Sequence, residues 1–262
     1  MDDNPRPAPR SRGIYLLPNL LTTGGMFSGF YAILAAASGH FEHACIAVFI
    51  AGMFDGVDGR IARLTGTSTE FGVQYDSLAD LVSFGMAPAL VMYHFALSTL
   101  RLDSIAIGKA GWAASFLYAA CAALRLARFN TQVGVVDKRW FIGLSSPAAA
   151  AVMMAFVWTM VDLGYSGEEL RYAALALTVC CGLLMVSRFR YTSFKGGRAN
   201  PSPPGERVPF VLLLVVVLVI VAIYIYPARL LLGVFGLYAV SGPAMWAWHK
   251  LRRRRGSGQG AA

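Results

Sequence analysis

Charge is what this sequence has least of. Asp, Glu, Lys and Arg make up 14% of its 262 residues, against about 25% in an ordinary soluble domain. A chain so poor in charge cannot cover a water-facing surface, so a soluble globular protein is excluded. Cysteine is scarce too, with four residues. Cys45, Cys121, Cys180 and Cys181 all fall inside apolar stretches without metal-ligand spacing. That excludes a disulfide framework and a thiolate metal centre, and leaves them as small packing residues. Histidine is equally rare, and His40 and His43 read as a pair in a short surface loop. Collagenous and disordered classes are excluded by the absence of their compositional signatures.

What the chain has in abundance is apolar sequence: 56% hydrophobic residues and a mean hydropathy of +0.55. Eight apolar segments are expected, at about 18–38, 42–63, 72–98, 110–129, 146–163, 169–187, 208–226 and 228–249. Their lengths suit membrane-spanning helices, and helices satisfy every backbone polar group in lipid. The expected fold class is therefore all-α, a polytopic membrane protein. Nothing in the first residues reads as a cleavable signal peptide. A soft boundary is expected in the loop KGGRANPSPPGER, before two C-terminal spans that differ from the rest. The stretch 208–226, VPFVLLLVVVLVIVAIYIY, carries no charge at all.

The net charge of +9 invites a nucleic-acid reading, but the positions of the cations argue for topology and no nucleic-acid partner. With the N-terminus placed in the cytoplasm, 19 of the 23 Lys and Arg fall inside. Outside are only Arg101, Lys109, Arg171 and Arg229. That asymmetry predicts both termini in the cytoplasm. The basic tail, Lys250 with Arg252 to Arg255, reads as a topology anchor, with anionic-lipid sensing as the alternative.

Four carboxylates interrupt the apolar pattern. Asp55 and Asp58 are three apart near the cytoplasmic end of the second segment; Asp76 and Asp80 are four apart at the start of the third. Each spacing puts a pair on one helix face, and the short connection makes the two helices antiparallel neighbours. Four unpaired Asp at a helix centre would cost roughly 10–14 kcal/mol to insert. Arg60 and Arg63 are too few to neutralise them. Bound divalent metal would, and an all-oxygen donor set without Cys or His suggests Mg²⁺ or Mn²⁺, or Ca²⁺. Four carboxylates are enough for two ions. Gly56, Gly59 and Gly72 flank the acids and would open room for a phosphorylated ligand against the backbone. Gly25-xxx-Gly29 and Gly52-xxx-Gly56 are small-residue pairs that let helices approach closely. These residues predict a divalent-metal, phosphate-handling site facing the cytoplasm.

The stretch D55-G-V-D58-G59-R60-I-A62-R63, eight residues, G72, three residues, D76, three residues, D80 resembles the full signature of the CDP-alcohol phosphotransferase family. PNLLT at 18–22 is similar to the start of the family's first helix. EFGVQYDSLADLVSFGMAPA (70–89), RLARFN (125–130), FIGLSSPAAA (141–150) and RYTSFK (190–195) resemble the branch of the family whose acceptor is L-serine. One departure is that Ser145 stands where Pro is expected, with Pro147 two residues on.

The resemblance implies a six-helix catalytic core over 18–195, preceded by a cytoplasmic segment, 1–17. A loop and two additional transmembrane helices follow over 196–249, then the basic cytoplasmic tail, 250–262. It implies transfer of a phosphatidyl group from CDP-diacylglycerol to L-serine with release of CMP, in the cell's inner membrane, by a homodimer. Asp55, Asp58, Asp76 and Asp80 would bind metal, with Asp80 deprotonating the serine hydroxyl. Cytidine and phosphate contacts map to Gly59, Ala62, Arg63 and Gly72. Arg63 suits phosphate as a bidentate donor, or else serves as a partner for the acids. Thr67 and Ser68 are candidate phosphate contacts in a loop that is otherwise simply solvated. The serine carboxylate needs a counter-charge, and Arg125, Arg128 and Asn130 are the candidate wall. Two other readings compete. One is the same chemistry with glycerol phosphate, inositol phosphate or choline as acceptor. The other is a cation transporter using intramembrane acids.

Overall fold

The computed structural model describes residues 13–66, 69–132, 140–192 and 225–257. Helix α1, Gly13–Ala37, turns back through Gly39 at a φ of +80° into α2, Phe41–Thr65. Their interface is a seam of buried alanines, Ala32, Ala35 and Ala36 against Ala44, Ala47 and Ala51. In lipid, helices gain little by hiding apolar surface from one another, so such small residues, which bring backbones together, drive the pairing. Helix α2 ends at Gly66, whose left-handed φ of +62° lets its N–H cap the carbonyl of Ala62.

Helix α3, Glu70–Asp80, starts where Thr69 accepts the Gly72 N–H at 3.0 Å. It runs through a π-helical turn, Leu81–Met86, into α4, Ala87–Phe95. Pro88 stands in the first turn of α4. It has no N–H, so the Phe84 carbonyl one α-turn earlier loses its usual partner. The hydroxyl of Tyr118 donates to that carbonyl instead, at 3.1 Å. A 3₁₀ turn, Leu97–Leu102, leads to α5, Ile105–Gln132. Helix α6, Ser146–Asp162, is buried over most of its surface, and packs against α2, α4 and α7. Ser145 is its N-cap, accepting the Ala148 N–H at 3.4 Å; a cap residue thus occupies the position where Pro is expected. Helix α7, Arg171–Val186, packs on α5, and α8, Pro227–Ser257, packs on α6.

Four of these stretches are long and apolar enough to cross a membrane: Leu17–Ala37, Glu70–Phe95, Ile105–Thr131 and Pro227–Trp248. Helices α6 and α7 are apolar but shorter, at 17 and 16 residues, and α2 carries its acids and arginines. Large apolar side chains point outward all round, among them Leu20, Phe27, Trp112, Phe116, Leu237 and Val240. On a water-soluble surface such an array would drive aggregation; facing lipid it is ordinary. The chain is a multi-pass membrane protein.

Several expectations change in detail. A two-stranded antiparallel ladder, β1 (Trp140–Ile142) with β2 (Arg190–Thr192), joins the ends of α5, α6 and α7 in an otherwise helical fold. It pairs two segments picked out by family resemblance, FIGLSS and RYTSF. His43 lies in the first turn of α2 rather than in a loop, and both imidazoles are exposed. Cys45, Cys121 and Cys181 are buried as expected, whereas Cys180 is exposed. Helix α8 runs on through the basic residues to Ser257, because Lys and Arg are good helix formers. Residues 1–12, Thr67, Ser68, Lys138, Arg139 and 193–224, which hold nearly all of the segment 208–226, lie outside the described residues, as do 258–262.

Candidate active site

The acids meet where α2 and α3 approach each other. Asp55, Asp76 and Asp80 present carboxylate oxygens that all lie within 4.8 Å of one another. Asp58 lines the same cleft but is turned toward α1. It is only 4% exposed and accepts the Thr22 hydroxyl at 2.7 Å. Thr22 shares that proton with the Pro18 carbonyl at 3.0 Å. Helix α1 therefore forms the third wall of the cleft, with Thr22, Gly25 and Met26, and Ser83 of the π turn closes its base.

Close approach of α1 to the π turn depends on Gly29. A Cβ there would lie 2.6 Å from Ser83 Oγ and 2.7 Å from Ser83 Cα. The Ser83 hydroxyl donates to the Gly25 carbonyl at 3.1 Å, so α1 and the turn that follows Asp80 are locked together. Thr23 and Tyr75 share a hydrogen bond of 2.8 Å between α1 and α3. Asp76 and Asp80 are held from both sides, since Asn130 of α5 donates to Ser77 Oγ at 2.9 Å.

The signature glycines divide into two kinds. Among the described residues, a Cβ on Gly56 or Gly59 would meet nothing within 4 Å, so packing against these residues does not explain them and their side of the cleft is open. Gly72 is a packing residue. A Cβ there would lie 3.1 Å from Thr69 Oγ1 and 3.4 Å from Asn19 Oδ1. Ala62 is half-buried and Arg63 exposed. Arg63 Nε donates to the Gly59 carbonyl at 2.8 Å, which holds the guanidinium along the open face.

Of the three residues expected to face the acceptor, Arg125 and Asn130 take separate partners. Arg125 Nη1 donates to the Ser146 hydroxyl at the start of α6 at 2.9 Å, and the guanidinium lies within electrostatic range of Asp80. Its Nε is buried without a hydrogen-bond partner among the described residues. Asn130 is spent on Ser77. Arg128 is half-buried one turn before the end of α5. Only Arg125 thus brings a positive charge to the acids from this wall. Thr22, Ser83, Ser146 and Tyr118 escape sequence reasoning altogether. A hydroxyl inside an apolar helix is a weak signal with many harmless causes; Thr22, Ser83 and Ser146 fall within segments of family resemblance, and Tyr118 does not.

The donor set fits a divalent ion. Three carboxylates so close repel one another, and oxygen ligands without His or Cys are what hard cations require. Asp55, Asp76 and Asp80 are placed to hold it, with Asp58 alongside.

The model of the CDP-alcohol phosphatidyltransferase family matches residues 15–184, the stretch that carries the four acids, the cleft and Arg125. The chain belongs to that family. It is 36% identical over 235 residues to a CDP-diacylglycerol–serine O-phosphatidyltransferase of Helicobacter pylori strain 26695, covering 89% of this chain and 92% of that one. A Mycobacterium leprae protein of the same name is 31% identical over 188 residues, 69% of this chain and 60% of its own length. An archaetidylserine synthase of Methanothermobacter thermautotrophicus is 34% identical over 186 residues, 70% and 72% of the two chains. The four acids lie within the matched stretch, and α8 lies beyond it.

Proposed function

We propose that this chain transfers the phosphatidyl group of CDP-diacylglycerol to the hydroxyl of L-serine, giving phosphatidylserine and CMP. The observation that carries the reading is the Asp55, Asp76 and Asp80 cluster beside the open backbone of Gly56 and Gly59. The choice of serine rests on the relatives. Their names span two lipid products, phosphatidylserine and archaetidylserine, and the serine is common to both.

Divalent ions, Mg²⁺ or Mn²⁺ and two in number by family resemblance, would be held by the four Asp and would neutralise the pyrophosphate. The remaining work falls to the chain's own groups. The nucleotide lies along α2 where Gly56 and Gly59 leave the backbone bare, with Ala62 and Arg63 a turn further on. Gly72 acts by letting α3 close on α1. Thr67 and Ser68 are proposed phosphate contacts in the connection between α2 and α3. Asp80 takes the proton of the serine hydroxyl as its oxygen attacks the phosphorus bearing the diacylglycerol. The bond to the CMP oxygen breaks, and CMP leaves with the electron pair. Arg125, whose buried Nε has no partner among the described residues, faces the serine carboxylate; Arg128 and Asn130 line the same side, Asn130 chiefly by holding Ser77. The acyl chains leave sideways between helices into lipid.

The site faces the cytoplasm of the inner membrane in this proposal. Supporting it, 19 of the 23 Lys and Arg fall on the side assigned to the cytoplasm. The catalytic core is 18–195 and the working form a homodimer. The deciding experiment follows CMP release and radiolabelled serine incorporation in membranes containing the chain, with and without chelator. Glycerol phosphate, inositol phosphate and choline serve as competing acceptors. Serine-dependent, chelator-sensitive release is expected; CMP release with another alcohol and none with serine would overturn the choice of acceptor.

A further inference from the structure

Of the four acids, Asp58 stands apart. Asp55, Asp76 and Asp80 bring oxygens within 4.8 Å of one another, and Asp58 is outside that group. It lines the same cleft yet is only 4% exposed, and a carboxylate that far out of water needs a donor. Among the described residues the donor is Thr22 of α1, whose hydroxyl reaches Asp58 Oδ2 at 2.7 Å. That is the short length of a hydrogen bond to an ionised carboxylate. Thr22 is itself buried, so little water competes for the bond.

The hydroxyl is held where it can do this. A threonine inside a helix can settle with Oγ1 against the carbonyl one turn back, and Thr22 Oγ1 lies 3.0 Å from the Pro18 carbonyl. The same rotamer puts it against Asp58. Helix α1 does not depend on this bond for its place. Ser83 donates to the Gly25 carbonyl at 3.1 Å, Thr23 and Tyr75 share a bond of 2.8 Å, and the alanine seam holds α1 to α2. One hydroxyl, in a wall fixed by other means, thus has a single carboxylate to serve. It occupies one oxygen of Asp58 and leaves the other for the cleft. Groups that hold a metal ligand from behind set its orientation, and their loss typically costs about 10- to 100-fold in metal affinity.

We infer that Thr22 is a positioning residue for the divalent ion: its hydroxyl fixes the Asp58 carboxylate, so that α1, and not only α2 and α3, sets how tightly the cleft holds metal. The inference rests on the divalent-metal reading of the site. It does not depend on which alcohol accepts the phosphatidyl group. A threonine in the first apolar segment, 36 positions from the acid, thereby acts on the metal through Asp58.

The test uses the full chain in detergent. Mn²⁺ affinity is read from the electron paramagnetic resonance signal of free Mn²⁺, and CMP release is followed separately at rising Mn²⁺. Thr22→Val keeps the shape of the side chain and removes the hydroxyl. It is expected to weaken Mn²⁺ binding about 10- to 100-fold, and to lose CMP release at low Mn²⁺ and regain it as Mn²⁺ is raised. Thr22→Ser keeps the hydroxyl and is expected to bind Mn²⁺ close to the unaltered chain. Thr22→Ala, a second hydroxyl-free variant, is expected to match Thr22→Val and serves in its place should that variant not fold. In an Asp58→Ala background, Thr22→Val is expected to add little, because residues acting through one contact are not additive. Unchanged Mn²⁺ affinity in the hydroxyl-free variants overturns the inference. So does equal weakening by Thr22→Ser, or full additivity with Asp58→Ala. A lowered melting temperature in chelator with Mn²⁺ affinity intact makes Thr22 a packing residue and overturns it too. Absence of Mn²⁺ binding by the unaltered chain removes the metal reading and the inference with it. Mn²⁺ binding that the variants share in full removes the inference alone.

Discussion

Replacing Asp80 by Asn keeps the shape of the side chain and deletes one charge from the cluster. Two unit charges at 4.8 Å, the upper limit of the spacing in the cluster, repel by about 0.9 kcal/mol at the dielectric of water and about 3.5 kcal/mol at an effective dielectric of 20. Asp80 has two such neighbours, Asp55 and Asp76, so its removal relieves about 2–7 kcal/mol if all three are ionised. Screening by solvent and ions reduces the gain, so the lower end is expected. For a chain of this size that corresponds to a melting temperature raised by about 4–8 °C in chelator. Saturating Mn²⁺ should reverse the order. The unaltered protein gains about 2.7 kcal/mol at a hundred times its Kd, whereas the variant has lost a ligand and gains much less. Turnover is expected to fall by roughly 10²- to 10⁴-fold, the range for a missing general base. Thermal unfolding in detergent with chelator and with Mn²⁺, alongside CMP release, reads all three. Near-normal turnover by Asp80→Asn would remove it as the base. Identical metal shifts in both proteins would mean that the cluster is no metal site.

Two further substitutions separate packing from ligand binding. Gly59→Ala meets no neighbour and should add about 1 kcal/mol of helix stability while raising KM for CDP-diacylglycerol; a variant less stable than the original would show that the open face is closed in the membrane. Gly29→Ala drives a methyl into the backbone of Ser83, an overpacking expected to cost about 1–3 kcal/mol. Because the π turn follows Asp80, turnover should fall with it; a lower melting temperature with full turnover would show that α1 does not align the acids.

How much of this was legible in the sequence follows from which forces leave a local trace. Membrane spans do, since each needs a long uninterrupted apolar run. The segment expected at 146–163 is α6, Ser146–Asp162, and that at 169–187 is α7, Arg171–Val186. The acid pairs also leave a trace, because i+3 and i+4 spacing brings side chains to one face whatever else the helix touches. Their convergence was readable from the short connection between α2 and α3. The unequal roles of the acids were not. Asp58 is turned aside by Thr22, 36 positions away. Gly72 and Gly59 look alike in the signature, but only the structure shows one against Asn19 and the other against open space.

The π turn was nearer to being readable than it looked. Pro88 inside an apolar run guarantees that the Phe84 carbonyl lacks an α-helical partner, and a helix in lipid cannot leave that group unpaired. Widening the turn and recruiting Tyr118 is the answer found here, and it has a consequence for the site. An α-helix continuing straight from Asp80 would carry the next residues round by 3.6 per turn. The wider turn alters which side chains follow Asp80 on the face toward α1, and Ser83 is the one that meets Gly25 and Gly29. The same proline that leaves Phe84 without its partner thus helps to fix the wall on which Asp76 and Asp80 stand. A Pro88→Ala variant, free to rewind as α-helix, is therefore expected to lose turnover more than stability, measured as CMP release against melting temperature. Equal turnover would show that the winding after Asp80 follows from packing against α1 and α5 and not from the missing N–H.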